Sequence, residues 1–256
     1  MSKILNSVSD IFVKKIWDKL WEILTKKEII DLWIRSGGSQ SRVTYAMSIL
    51  LGRNLIVKIA NWVYMIKKNQ DVDIWLMYWS VIEKLIDTYS PSWWVIWWEK
   101  AIEFHLQNFS IPDILIIYTR DTAIRVRIID GREVHFRTLV SWAKTNKKNL
   151  WRIIIDNATW IEIPQKMQIC GKELALLEAL SLRRHDIGIE EANIVRFLRS
   201  YHSTISRSIL GMLAKYRYIR PINRLRIIAR DLWYQELYNK TLEVIRDEWG
   251  GCYLNI

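Results

Sequence analysis

Apolar residues recur at helical spacing through the opening stretch IFVKKIWDKLWEIL. Ile11, Phe12, Ile16, Leu20, Ile23 and Leu24 fall on one face, which predicts an amphipathic helix over 11–24. Thr25 follows, with Glu28 three positions on. This Thr-x-x-Glu pattern is a capping box, in which the hydroxyl accepts from an orphan amide and the carboxylate reaches back. It predicts a second, short helix over 26–33. Arg35-Ser36-Gly37-Gly38 reads as a turn, and Ser39 as the cap of a third helix, SQSRVTYAMSILLGRN. Its apolar face is Val43, Ala46, Met47, Leu50 and Leu51, and Gly52 to Asn54 stop it. LIVKI and VYMIKK then predict two short strands about a tight turn at Ala60-Asn61-Trp62.

Beyond the hairpin the period changes repeatedly. Val72 to Tyr89 predicts a helix, as does AIEFHL, and the continuous apolar run IPDILIIYT predicts a buried strand. AIRVRIIDGREVHFRTL alternates about Asp130-Gly131, a hairpin signal. WRIIID and TWIEIP read as further strands, CGKELALLEALSL as a helix, and 192–218 and 225–247 as largely helical. The class is therefore α+β. The predicted organisation is a winged helix-turn-helix over 1–70, a mixed α+β domain over 71–180 and a basic helical part over 181–256.

Charge sharpens the first of these. The chain has 38 Lys and Arg against 27 Asp and Glu, net +11. Two blocks hold the excess, 1–70 and 183–230. A basic balance of this size points to an anionic partner, and with three helices and a hairpin in the first block, to duplex DNA. The third helix would present Ser39, Gln40, Ser41, Arg42, Thr44 and Tyr45 to base edges, with Lys58, Asn61, Lys67 and Lys68 of the wing near the backbone. A helical bundle with a solvated polar face, or a protein-contact winged helix, would carry the same groups. In the second block Arg196, Arg199, Arg207, Arg217, Arg220, Arg224, Arg226 and Arg230 form either a phosphate- or acid-binding face or a solvated outer surface.

Other chemistries find little here. Cys170 and Cys252 make no disulfide framework or metal-ligand spacing. His105, His135, His185 and His202 show no ligand or triad spacing, and no phosphate-loop, dinucleotide or nucleophile-elbow motif occurs. No metal or cofactor is expected. No apolar run reaches the roughly 18 residues that would span a bilayer, and no signal peptide is visible, so a cytoplasmic protein is expected.

PSWWVIWWEK, from Pro91 to Lys100, is the anomaly. The chain has 15 Trp and only 9 Gly, where average usage of about 7% would give roughly 18 Gly. The order of parts resembles the AbiEi family of antitoxins, the DNA-binding halves of type IV toxin–antitoxin (abortive infection) systems. It rests on LIVKIANWVY, on VIWWEKAIEFHL, on the Pro-led strand IPDILIIYT and on KELALLEAL before a helical end. The resemblance implies a winged helix followed by a nucleotidyltransferase-like domain, repression of the protein's own promoter, and neutralisation of a toxin encoded alongside. In the family pattern, glycine stands at the places of Trp62 and of Trp97-Trp98. Some bacterial lineages read UGA as glycine, and such a gene translated with UGA as Trp would show surplus Trp and missing Gly. Codons 62, 93, 94, 97, 98 and 249 are the expected cases. The competing reading is a genuine aromatic cluster in a core.

A working nucleotidyltransferase holds Mg²⁺ with carboxylates at i and i+2 of a strand, which share one face. Here Asp113 opens the strand, but Leu115 stands at i+2, and Asp121 belongs to the strand's far end. A non-catalytic protein is expected. The competing class is an active Mg²⁺-dependent nucleotidyltransferase using Asp113 with Asp121 or another acid.

Overall fold

The computed structural model describes residues 7–19, 22–66, 77–120, 122–128, 131–138, 147–162, 166–181 and 191–249. The chain divides into two compact units. Residues 1–92 with 124–135 form one, and 93–123 with 136–256 the other.

The first unit runs α1 (Val8–Trp17), β1 (Ile23–Thr25), α2 (Lys26–Arg35), a 3₁₀ turn (Gln40–Arg42), α3 (Val43–Gly52), β2 (Ile56–Ala60), β3 (Val63–Ile66) and α4 (Tyr78–Tyr89). The strands make one antiparallel sheet in the order β1-β3-β2. The predicted first helix is cut short: Ile23 and Leu24 pair with Met65 and Tyr64 as strand residues instead. Their adjacent burial, at 5% and 4% exposure, is what a helix-period reading mistook for a continuing stripe.

Why α2 starts where it does is plain. Thr25 Oγ1 accepts from the Glu28 amide at 3.2 Å, and Glu28 Oε2 accepts from the Thr25 amide at 2.7 Å. Both orphan donors are satisfied reciprocally. Burial raises the Glu28 carboxyl, but hydrogen bonds from Lys84 and Thr25 outweigh it and leave the group below its ordinary range. Lys84 Nζ meets Glu28 Oε1 at 2.8 Å, tying α4 to α2. Phe12, Ile16, Leu24, Ile29, Trp33, Ala46, Leu50 and Ile66 build the core between them. Trp33 packs edge-on to Phe12. A Cβ at Gly38 would lie 2.1 Å from the Trp33 ring, so the turn before α3 closes only with glycine there.

A second, mixed sheet has the order β6-β7-β5-β4-β9-β8. Its strands are β4 (Trp94–Ile96), β5 (Ile114–Thr119), β6 (Ile124–Arg127), β7 (Glu133–Thr138), β8 (Thr159–Ile161) and β9 (Met167–Ile169), with β6 and the start of β7 grouped in the first unit. β4 runs antiparallel to β5 and parallel to β9. Helices α5 (Trp98–His105), α6 (Lys147–Asp156), α7 (Lys172–Ser181), α8 (Glu191–Tyr201), α9 (Arg207–Leu213), α10 (Ile219–Asp231) and α11 (Gln235–Trp249) complete the second unit. α5 packs on α7, α7 on α10, and α10 on α11.

WRIIID is helical, not a strand. Leu150 and Ile154, four apart, are both fully buried on one face of α6, and that burial overrides the β-branched run. A π-helical turn, Ala214–Tyr218, separates α9 from α10. Pro221, two residues into α10, has no amide to donate and crowds the carbonyl four residues back, which opens the helical ladder at that place.

Candidate nucleic-acid interface

The apolar side of α3 is spent on the first unit's core through Ala46, Met47 and Leu50. Its other side is open. Ser39, Gln40, Ser41, Arg42, Thr44 and Tyr45 are all exposed, with Tyr45 at 53%. Gln40 to Arg42 lie in the 3₁₀ turn rather than in the α-helix, so the helix proper starts at Val43. Two contacts fix this edge. Trp33 Nε1 donates to the Ser39 carbonyl at 3.0 Å, and the Trp33 ring stands edge-on to Tyr45 with centroids 6.3 Å apart. Ser39 and Ser41 share a hydroxyl hydrogen bond at 3.1 Å, and Ser48 donates to the Tyr45 carbonyl. Gln40, Arg42 and Thr44 make no side-chain hydrogen bond to any described residue, which leaves their donors and acceptors for a ligand.

The β2–β3 hairpin flanks this helix in sequence and carries Lys58 and Asn61, both exposed. Lys58 pairs across the strands with Tyr64, and the register slips between Lys58 and Ala60. At the tip Asn61 gives its carbonyl to Tyr89 Oη at 3.3 Å. Trp62 sits beside it with φ +67° and its ring 52% exposed. A bulky residue held in the left-handed region costs on the order of 1–3 kcal/mol. Lys26, at the start of α2, lies over that ring, Nζ 4.5 Å from its centroid, and its amide donates to the Trp62 carbonyl at 2.7 Å. Lys26 was not singled out in the sequence, because a residue one past a cap reads as helix rather than as a neighbour of a hairpin 36 positions later. Lys67 and Lys68 lie outside the described residues.

The arginines of the C-terminal part differ in their surroundings: Arg196, Arg199, Arg207, Arg220, Arg224 and Arg230 are exposed. Arg226 is buried at 8% exposure, donating to Asn223 Oδ1 at 2.9 Å and lying over Tyr238. Arg207 is bound to Glu243 at 2.8 Å and Asp247 at 2.6 Å, and Arg230 to Asp231 at 2.9 Å. Arg224 donates to the Leu180 carbonyl. Arg220 is exposed, and the Arg217 side chain lies outside what is described. Arg196 and Arg199 remain open on α8, at a hollow lined with His105, Gln107 and Tyr201.

Asp113 is exposed just before β5, while Leu115 is fully buried. Asp121 lies outside the described residues. Among the described residues no three His, Cys, Asp or Glu are placed to hold a metal ion together, and no helix is long and apolar enough to cross a membrane. His105 is held by the Cys170 carbonyl at 3.0 Å, and burial lowers its pKa. His135 meets Glu133 at 2.7 Å, and His202 stacks on Tyr234.

Comparison with known proteins gives a fold. No family model matches the chain, and no curated protein matches it. Among solved structures it is similar to the crystal structure of the RV2827C protein from Mycobacterium tuberculosis. The TM-score is 0.52 at 13% identity, over 94% of this chain and 79% of that one. The two share a fold. At that identity the likeness carries architecture and nothing about activity.

Proposed function

We propose that the protein is a DNA-binding transcriptional regulator whose first unit is a winged helix. The element order α1-β1-α2-α3-β2-β3, with a three-stranded sheet, supports this reading. The observation that carries it is the α3 edge: Gln40, Arg42 and Thr44 exposed and unengaged, on an element whose opposite face is locked into a core. α3 and the turn before it enter the major groove, Arg42 reads a base edge, and Lys58 and Asn61 meet the backbone. The order of parts along the chain resembles AbiEi antitoxins, and adds the biological frame: a cytoplasmic repressor of its own promoter that neutralises a toxin encoded alongside.

The second unit is non-catalytic in this account. Asp113 has a buried leucine where a second carboxylate would share its face. Nucleotide transfer that depends on Asp113 in a radiolabelled assay with Mg²⁺ would replace this part of the reading.

The DNA claim is tested by fluorescence anisotropy on the region upstream of the gene and on a scrambled duplex. Arg42→Ala weakens binding to the upstream region by about tenfold or more, as expected for a base contact worth about 1–3 kcal/mol, and weakens the scrambled duplex less. Lys58→Ala weakens both about equally. Equal loss on both duplexes for Arg42→Ala would make that residue a phosphate contact.

A further inference from the structure

Two tryptophans occupy backbone conformations that favour glycine, and both are exposed. Trp62 has φ +67° and Trp233 has φ +61°, at 52% and 90% exposure. Their local geometry is specific. Asn61-Trp62 closes a hairpin beside a register slip, where a left-handed residue is conventionally glycine and where Asn-Gly is the strongest short hairpin signal. Trp233 follows the last turn of α10. Its amide donates to the Arg230 carbonyl at 3.1 Å, and the Tyr234 amide donates to the Ala229 carbonyl at 2.8 Å. That pair of bonds is the Schellman termination, with Trp233 at the position glycine normally fills. The same termination after α3 and α5 uses Asn54 and Gln107, a small polar and an unbranched residue. At Trp233 the ring is almost wholly in water, so packing does not explain its presence.

Trp93, Trp94 and Trp97 differ. None has positive φ, and Trp97 is 2% exposed in ordinary extended backbone, with its ring against Tyr118. At those places the backbone makes no demand for glycine.

We infer that residues 62 and 233 are glycine in the protein as its own cell makes it, the two codons being UGA read as glycine. This accounts for the strained backbone at both places and for part of the excess of Trp over Gly. It also changes the wing. With glycine at 62 the tip reads Asn-Gly, and Lys26 loses the ring that lies against its ammonium. Lys26 makes no ion pair with any described residue, so it becomes a further cation for DNA phosphate. This last step rests on the DNA-binding reading; the glycine assignment does not.

The tests separate the two. The gene sequence shows TGA at codons 62 and 233; TGG at both overturns the inference. Independently, Trp62→Gly and Trp233→Gly each raise the thermal midpoint by a few degrees or more, since positive φ is relieved at both and Trp233, 90% exposed, buries little surface. Trp160→Gly is the control. Trp160 has the same 52% exposure as Trp62 but an ordinary backbone in β8, and its replacement lowers the midpoint. A fall in both glycine variants matching that of Trp160→Gly overturns the assignment whatever the DNA result. For the wing, Lys26→Ala in the Trp62→Gly background lowers the salt slope of DNA binding by about one, and in the Trp62 background changes it less. An equal effect in both backgrounds overturns the role given to Lys26 while leaving the glycine assignment standing on the codons and the melts.

Discussion

Single residues carry much of the first unit's order, and their costs are separable. Thr25→Ala removes the acceptor for the Glu28 amide and leaves α2 uncapped, an expected loss of about 1 kcal/mol in urea unfolding. Gly38→Ala drives a methyl into the Trp33 ring, 2.1 Å away, and forces the turn before α3 to shift. Overpacking of that kind costs about 1–3 kcal/mol, and DNA binding falls with it because Ser39 is anchored by the same indole. In the second unit Glu178 accepts from Tyr218 Oη, and burial pushes its carboxyl up. The folded protein therefore holds a proton on Glu178 to higher pH than the unfolded chain does. The stability this gives is complete below the ordinary carboxylate range and is lost as pH rises through the raised value. Glu178→Gln keeps an acceptor for Tyr218 without the charge, so it raises the thermal midpoint at pH 8 relative to the parent and changes it little at pH 4. A variant less stable at both values would show that the carboxylate itself holds this place together.

Elements were legible in the sequence where a local rule and the tertiary structure agree. The capping box at Thr25 and Glu28, the hairpin at 55–66 and the strand at Ile114–Thr119 stand where pattern and turn chemistry put them, though that strand is buried on alternate residues only. The misses have a common physical cause. Ile23 and Leu24 continue an apolar spacing that helices and strands share over so short a run, and only pairing with β3 decides between them. The α6 segment looks extended by its β-branched residues, yet Leu150 and Ile154 need a helical face to reach the core together. The exposure of the α3 edge was legible for the same reason as the helix: residues that alternate with a core face must point away from it. The partners of the C-terminal arginines were not, because charge along a sequence does not say which guanidinium meets Asn223, Glu243 or a carbonyl.

At the scale of the molecule, two units of different character share one chain. The first spends its apolar residues on a small core and leaves one helix edge polar, exposed and unengaged. The second buries titratable groups. His105 is shielded inside it, and burial lowers its pKa, so as pH falls the unfolded chain takes up this proton before the folded one does. Stability of this unit accordingly falls as pH drops below the ordinary imidazole value near 6.5, a loss readable by thermal melts between pH 7 and pH 5 and reduced in His105→Gln. Twelve basic residues lie within 1–70 against five acidic ones; there Lys19 pairs with Glu22, while Glu28 is taken by Lys84 from outside the block. An unanswered positive field beside an open helix edge makes binding to DNA steeply dependent on salt. The most direct measurement is the affinity of the intact protein for its own upstream DNA and for a scrambled duplex, across a series of salt concentrations. The account predicts tighter binding to the upstream region at every salt, with both affinities falling linearly on logarithmic axes. Binding that ignores salt, or that fails to tell the two duplexes apart, would contradict it.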